Sequence, residues 1–277
     1  EMINYVVACW LGSRGSKKYS KIVEEDKFFF IKQHLNFLSD YTKDDIEKVT
    51  FVINSRPDED IATIEKFFSD VKLNNNIKVE YLFRDNKDSN GLIRGSYGAW
   101  NHAMVKDISN DTNVENFLLF EDDYILVDEN CVKPFVERST ETNPFVCSYV
   151  MKPNQWCIAH ASHAGVVCLN RKICKKIYEE HNDVLYFEPP NPSIPDYGNT
   201  CNVQLYCHKY FLNKGYSVID VLDKYSTGYL YCNQPGFDEE LLVVFGDSQN
   251  TTLVIPIGYK SYQYNDPYEL MPTLHKR

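Results

Sequence analysis

The sequence is short of basic residues. Its 277 residues contain 39 acidic and 29 basic side chains, which gives a formal net charge of -10 at pH 7. A protein that binds the phosphate backbone of a nucleic acid needs a broad basic surface, and this composition does not supply one. We therefore expect no nucleic-acid partner.

Long apolar runs are also missing. No uninterrupted apolar stretch approaches the roughly 18 residues of a transmembrane helix, and the chain opens on a strand-like segment without a charged and then apolar leader. Hydrophobic residues nevertheless make up 43% of the chain, which is ample for a substantial core. We expect a cytoplasmic protein with no membrane span.

The nine cysteines lack the pairing of a disulfide framework. Their number is odd, and no two are spaced as Cys-x-x-Cys. Cys9, Cys147 and Cys168 fall in apolar, strand-like runs, where a reduced thiol behaves as a small core hydrophobe. This usage favours a reducing, intracellular setting.

What the sequence does contain is an alternation of strand and helix patterns. Apolar runs at residues 4–12, 49–55 and 77–83 predict strands, and apolar residues at helical spacing predict helices at 24–41 and 59–71. Strands that alternate with helices indicate a parallel sheet.

The rest of the chain is less regular. A further helix is predicted at 96–106 and the acid-bearing strand at 116–127. Short strands follow at 144–151 and 164–170, helices at 171–182 and 200–215, and a proline-rich loop at 188–199. Gly215 is the expected C-terminal cap of the last helix. We expect one α/β domain over 1–224 and a turn-rich extension over 225–277 that packs on the same domain.

The segment 116–127 (NFLLFEDDYILV) places three consecutive acids between apolar flanks. Burying an unpaired carboxylate is costly, so Glu121, Asp122 and Asp123 must meet solvent, cations or a metal ion. In open parallel sheets, ligands bind beyond the carboxyl ends of the strands, which is where these acids lie. The acids therefore predict a functional site, with a solvated acidic turn as the alternative.

This order of elements resembles the GT-A fold glycosyltransferases, most closely the family 2 type. The matching residues lie in the glycine-bearing turn, on the next helix and at the acidic signature, and are Asn90, Gly91, Gly95, Ala99, Asn101, Glu121, Asp122 and Asp123. The first signature acid is Glu here, where the family has Asp. The resemblance implies a Rossmann-like mixed, mostly parallel sheet flanked by helices. It also implies an inverting enzyme that moves a sugar from a nucleotide-sugar donor, with UDP-sugar favoured, to a carbohydrate or glycan acceptor.

The resemblance further implies a set of site residues. Asp123 is the expected direct ligand of Mn²⁺ or Mg²⁺, with Asp122 nearest the ribose or sugar and Glu121 in support. Asp85 is expected to accept from the base, and Arg94 to contact phosphate or sugar. The other positions expected at the donor are Cys9, Leu11, Arg14, Arg84, Asn90, Gly91 and Asn101.

The catalytic base is expected at Asp196. Family members carry an acid before a helix that ends at Gly and an aromatic residue, and the segment 195–216 (PDYGNTCNVQLYCHKYFLNKGY) is the match. An inverting transfer needs a carboxylate that takes the proton of the acceptor hydroxyl. An Asx turn is the alternative role, and the next acids to consider are Asp238, Glu239 and Glu240.

Three other interpretations stay open. A nucleotidyltransferase also uses metal-binding acids, and the segment 11–21 partly matches its glycine-rich basic loop, although a second strong acid pair is absent. A non-catalytic sugar- or nucleotide-binding module would keep the cleft without turnover. The third is a zinc site formed by Cys157, His160, His163 and Cys168, although the spacing of these residues matches no common zinc module.

Overall fold

The structure is a computed structural model. Within the 277-residue chain it describes residues 1–14, 17–55, 59–85, 95–126, 129–147, 150–151, 161–162, 165–185, 210–220 and 254–256. Several sequence predictions fall outside these residues: those for Asn90, Gly91, Arg94, Cys157, His160, His163 and Asp196, and for most of the extension over 225–277.

The described residues include eleven strands and six α-helices. The strands are β1 (Met2–Cys9), β2 (Ile46–Ser55), β3 (Lys78–Asp85), β4 (Val114–Glu121), β5 (Tyr124–Leu126), β6 (Phe145–Cys147), β7 (Val150–Met151), β8 (Ala161–Ser162), β9 (Val166–Asn170), β10 (Val218–Asp220) and β11 (Val254–Pro256). The helices are α1 (Lys17–Glu25), α2 (Phe29–Ser39), α3 (Ile61–Asp70), α4 (Gly95–Ile108), α5 (Val132–Val136) and α6 (Arg171–His181).

Seven strands form one sheet in the order β10, β6, β9, β4, β1, β2, β3. β1 runs parallel to β2 and β4, β2 to β3, and β6 to β10, whereas β9 is antiparallel to β4 and β6. The predicted fold class is therefore confirmed: a mixed, mostly parallel sheet flanked by helices. Two small antiparallel pairs stand apart from it, β5 with β11 and β7 with β8.

The sheet carries a hydrophobic core on each face. Alternate residues of β1 belong to the two cores, with Tyr5 and Val7 in one and Val6 and Ala8 in the other. Burial on both faces is typical of a central parallel strand, and it explains the nearly continuous apolar runs of β1 and β4. Because Ala8 pairs with Glu121, the acids emerge beside the end of β1.

Where the sequence predicts one helix over 24–41, the structure has the last two residues of α1, a break, and then α2; the rest of α1 was not predicted. The apolar spacing continues across both, but the Asp26 carboxylate accepts the backbone N–H of Phe28 at 3.1 Å. This local bond offers the backbone an alternative to the helical ladder, so the chain turns between residues 25 and 29.

The Gly215 cap is confirmed. Gly215 adopts φ +82°, its N–H donates to Leu212, and the N–H of Tyr216 donates to Phe211. These two bonds form a Schellman motif, in which the left-handed residue is usually glycine.

A buried charge cluster anchors the C-terminal end of α4 at the opposite edge of the sheet from the acids. The Asp107 carboxylate, 1% exposed, accepts from Lys48 Nζ on β2 (2.7 Å), Arg171 Nε on α6 (3.0 Å) and Asn4 Nδ2 on β1 (3.1 Å). One carboxylate therefore ties two strands and two helices together.

In the residues that the structure describes, no helix is both long and apolar enough to cross a membrane.

Candidate active site

A cavity of about 370 Å³ opens at the carboxyl ends of the central strands. Its lining comes from the ends of β1, β2 and β4 and from the start of α4, namely Ala8, Cys9, Trp10, Arg14, Asn54, Gly95, Ser96, Glu121, Asp122 and Asp123. The three acids, which we call the acid turn, therefore line one cavity, at the edge of the sheet where the sequence predicts a ligand.

Asp122 is held by protein groups. Its carboxylate accepts hydrogen bonds from Arg14 Nη1 (2.8 Å), Arg14 Nη2 (2.5 Å) and the backbone N–H of Trp10 (2.9 Å). Its own N–H donates to the Ala8 carbonyl at 3.1 Å, and its side chain is 6% exposed. Both oxygens that the resemblance directs to ribose or sugar thus have protein partners in the loop after β1.

Arg14 supplies a buried cation to the cavity wall. Its guanidinium lies over the Phe30 ring, with Cζ 4.2 Å from the centroid, and Nη2 also donates to the Trp10 carbonyl at 2.7 Å. Burial lowers the pKa of Arg14, but Asp122 and, to a smaller extent, Asp123 and Cys9 together raise it, so the net pKa lies above its ordinary value. Arg14 therefore stays charged and neutralises Asp122.

Glu121 and Asp123 are the carboxylates left for a ligand. Glu121 accepts from the Ser96 hydroxyl at 2.8 Å, and Asp123 lies 3.9 Å from Arg14 Nη1. Burial and then the charge of Asp123 raise the pKa of Glu121 to about 8, and burial raises the pKa of Asp123 to about 6 although Arg14 opposes it. Both shifts mean that burial, together with the neighbouring acids, disfavours the ionised form of these two carboxylates.

Core side chains hold the backbone of the acid turn. His34 Nε2 lies 2.9 Å from the Asp122 carbonyl oxygen, and His34 Nδ1 lies 2.7 Å from the Tyr5 hydroxyl. Two residues before Asp122, Trp100 Nε1 on α4 donates to the Phe120 carbonyl at 2.9 Å. The acids thus stand on a framework that α2, β1 and α4 supply together.

The start of α4 requires a glycine. Gly95 adopts φ +53°, a left-handed conformation that costs any residue with a Cβ, and it lines the cavity next to Ser96. The glycine lets the chain turn into the helix so that the Ser96 hydroxyl reaches Glu121.

Of the other residues predicted to contact the donor, some lie at the cavity and others do not. Cys9 lines the cavity as a buried thiol, and burial raises its pKa. Leu11 packs in the hydrophobic core, with 5% of its surface exposed. Arg84 Nη1 donates to Asn54 Oδ1 (3.0 Å) at the cavity, and Asp85 is exposed at the end of β3.

The side chain of Asn101 accepts hydrogen bonds from the backbone of the chain after α6. Its Oδ1 accepts the backbone N–H groups of Val184 (2.8 Å) and Leu185 (3.1 Å), and it is not among the described residues that line the cavity. The amide ties α4 to the chain after α6. The donor-binding role that the resemblance implies for Asn101 stays a prediction.

Sequence reasoning missed Trp10, Asn54 and Ser96 as lining residues. Trp10 follows the last residue of β1, and Asn54 lies at the carboxyl end of β2. The rule that ligands bind beyond strand ends would have found both. Ser96 carries no comparable signal, because its role depends on the turn of the chain at Gly95.

The described part of the chain contains no preformed group of three or more His, Cys, Asp or Glu side chains for a metal ion. Two carboxylates, Glu121 and Asp123, do line the same cavity. Mg²⁺ is often bound through one or two carboxylates, with phosphates and water as the other ligands. This donor set therefore fits Mg²⁺ or Mn²⁺ bound together with a phosphorylated ligand.

No protein-family model and no curated protein matches the chain. A 4-diphosphocytidyl-2C-methyl-D-erythritol synthase from Anaerococcus prevotii is 11% identical over 79% of this chain and 86% of its own, with a TM-score of 0.45. S. aureus TarS (residues 1–349) is 16% identical over 77% and 56%, with a TM-score of 0.40. A protein described as a nucleotide-diphospho-sugar transferase, from Desulfovibrio desulfuricans, is 10% identical over 79% and 78%, with a TM-score of 0.47. At these scores the similarities carry no argument about function.

Proposed function

We propose that the protein is a metal-dependent glycosyltransferase that moves a sugar from a nucleotide-sugar donor, with a UDP-sugar favoured, to a carbohydrate acceptor. The observation that carries this proposal is the charge balance of the cavity. Among the described lining residues, three carboxylates in their ionised form against one guanidinium leave a formal charge of -2 at the carboxyl edge of a mostly parallel sheet. One divalent cation would balance that charge, and it would bring a diphosphate to the site.

Each lining group has a distinct role in this proposal. Asp123 and Glu121 would hold Mn²⁺ or Mg²⁺, which supplies a positive charge against the charge that develops on the departing nucleoside diphosphate. Arg14 holds Asp122 and thereby fixes the loop after β1 to the acid turn. Ser96 orients Glu121 by donating to one of its oxygens.

The acceptor side of the proposal rests on Asp196 as general base, which lies outside the described residues. We expect Asp196→Asn to lower sugar transfer by about 10² to 10⁴, the contribution of a positioned base, with donor affinity close to wild type. Near-normal transfer by this variant would remove Asp196 from the mechanism.

Nucleotidyl transfer is the second candidate, because Arg14 of the glycine-rich, basic segment 11–21 does reach the cavity. Its guanidinium, however, is engaged by Asp122 and the Trp10 carbonyl, whereas a triphosphate-binding loop needs its cation for the substrate. This engagement favours sugar transfer.

The two reactions release different products. With Mn²⁺ and a panel of UDP-, GDP- and dTDP-sugars, we expect release of free nucleoside diphosphate, which EDTA abolishes. Pyrophosphate release from a nucleoside triphosphate and a sugar 1-phosphate would replace the proposal with nucleotidyl transfer. Donor binding without either product would favour a binding module.

A further inference from the structure

Three polar groups form a chain through the apolar core beneath the acid turn: the Tyr5 hydroxyl, the His34 ring and the Asp122 carbonyl. Tyr5 and His34 are both 0% exposed, and both pack against the ring of Phe120. Polar groups in such surroundings cost free energy unless they are hydrogen-bonded. These groups must therefore be hydrogen-bonded to each other, and their bonds show that the network holds the Asp122 carbonyl.

The partners fix the tautomer of His34. A carbonyl oxygen can only accept, so His34 Nε2, at 2.9 Å from the Asp122 oxygen, carries the proton. Burial lowers the pKa of His34 to about 4, so the ring is neutral at pH 7 and Nδ1 has a lone pair. The Tyr5 hydroxyl donates to that lone pair at 2.7 Å.

The same bond sets the direction of the peptide between Asp122 and Asp123. In a planar trans peptide, the C=O and the N–H point in opposite directions. The carbonyl points to His34 in the core, so the N–H of Asp123 points away from His34. That N–H belongs to Asp123, whose side chain lines the cavity, so the bond to His34 fixes the backbone from which the Asp123 side chain extends.

We propose that His34 is a positioning residue for the metal-binding carboxylate: its bond to the Asp122 carbonyl orients the peptide from which the Asp123 side chain extends into the cavity. This inference rests on the proposed function, because it takes Asp123 as a ligand of Mn²⁺ bound with a nucleotide. Residues that orient metal ligands without touching the metal change affinity about 10- to 100-fold.

Two amide substitutions separate the two bonds of the ring. In His34→Gln, the longer side chain carries its amide nitrogen to the position of Nε2, so the donor to the Asp122 carbonyl is kept. In His34→Asn, the shorter side chain reaches only the position of Nδ1, so the partner of Tyr5 is kept and the carbonyl loses its donor. Both are uncharged amides, which makes them a matched pair.

The measurement is calorimetric binding of UDP with and without Mn²⁺ at pH 7.5, scaled to the folded fraction. We expect Mn²⁺-dependent UDP affinity to fall about 10- to 100-fold in His34→Asn and to stay close to wild type in His34→Gln. Ile177→Ala is the stability control: this buried α6 residue belongs to the other core, so its loss should lower the melting temperature without changing Mn²⁺-dependent affinity.

The possible failures are distinguishable. If wild type binds UDP with Mn²⁺ and both amide variants bind equally well, or the Gln variant is the weaker, the positioning role is wrong and the proposed function stands. If wild type shows no Mn²⁺-dependent binding of any nucleoside diphosphate, the metal site and the positioning role both fail.

Discussion

At the scale of single residues, the neighbouring carboxylates of the acid turn have different partners and therefore different roles. The Asp122 carboxylate accepts from Arg14 and the Trp10 N–H, while the nearest cation to Asp123 among the described residues is Arg14, at 3.9 Å. Identical side chains next to each other therefore respond differently to substitution.

Asp123→Asn should abolish Mn²⁺-dependent binding of UDP, because the amide keeps the shape but loses the charge. The metal-free variant should melt at or above the wild-type temperature, since burial disfavours the ionised carboxylate that it removes. Calorimetry and thermal melts in EDTA check the two halves. Unchanged Mn²⁺-dependent affinity would show that Asp123 is not a ligand.

Asp122→Asn should behave differently, because its amide cannot accept from both Arg14 and Trp10 as a carboxylate does. Breaking a buried ion pair by removing one partner typically costs about 3 to 5 kcal/mol, and we expect a loss of unfolding free energy near the low end of that range. Urea unfolding measures it. A variant as stable as wild type would mean that the Arg14–Asp122 pair adds little.

His34 gives a pH signature of stability. Its folded pKa of about 4 lies below the ordinary value of 6.5, so the unfolded chain binds the proton more readily between these values. The stabilisation from a neutral His34 is complete above pH 6.5 and is lost as pH falls toward 4. Relative to His34→Gln, wild type should lose roughly 2 to 3 kcal/mol between pH 7.5 and 4.5, at about 1.36 kcal/mol per pKa unit.

Urea unfolding of both proteins across this range checks the prediction. The raised pKa of Glu121 acts in the opposite direction, but it is common to both proteins and largely cancels in the difference. Parallel pH profiles would show that His34 does not titrate as its burial implies.

At the scale of elements, α4 is fixed at both ends. Its first turn orients Glu121 through Ser96, and its last turn carries Asp107, whose carboxylate accepts from Lys48 and Arg171. The helix therefore links the cavity to the opposite edge of the sheet.

Asp107→Asn should lower the unfolding free energy by about 3 to 5 kcal/mol, because it leaves two cations without their buried partner. Glu80→Gln is the matched control, since Glu80 contacts the same Lys48 at 3.6 Å but is 42% exposed. An exposed pair contributes about 0 to 1 kcal/mol. Equal losses in the two variants would contradict the anchoring role of Asp107.

The same scale shows how far the sequence predicts the molecule. Strands β1, β2 and β4 are predictable because their central residues are buried on both faces and are therefore mostly apolar. The break between α1 and α2 is not predictable from the sequence, because the apolar spacing continues across it and a single hydrogen bond from the Phe28 N–H to the Asp26 carboxylate interrupts the helix. His34 did leave a signal: it is a polar residue on the buried stripe of α2, beside Phe30, Ile31 and Leu38.

The pairing of Arg14 with Asp122 could not be predicted, because it joins side chains 108 positions apart. The spacing of either residue in the sequence gives no indication of its partner. The acids themselves were predictable from their place at a strand end, but the division of tasks among them depends on this contact.

At the scale of the whole molecule, the β5–β11 pairing makes the surroundings of the acid turn depend on a strand much later in the sequence. β5 follows the acid turn directly, yet its partner is β11, the last strand in the described part of the chain. A ribosome that has released residues 1–220 has delivered every strand of the seven-stranded sheet, but β5 still has an open edge beside the acids. A nascent or truncated chain can thus bury its core before the surroundings of the acid turn are complete. Cutting the chain ahead of residue 254 should therefore impair nucleotide binding while the sheet stays folded, so ligand binding would report whether β11 is present.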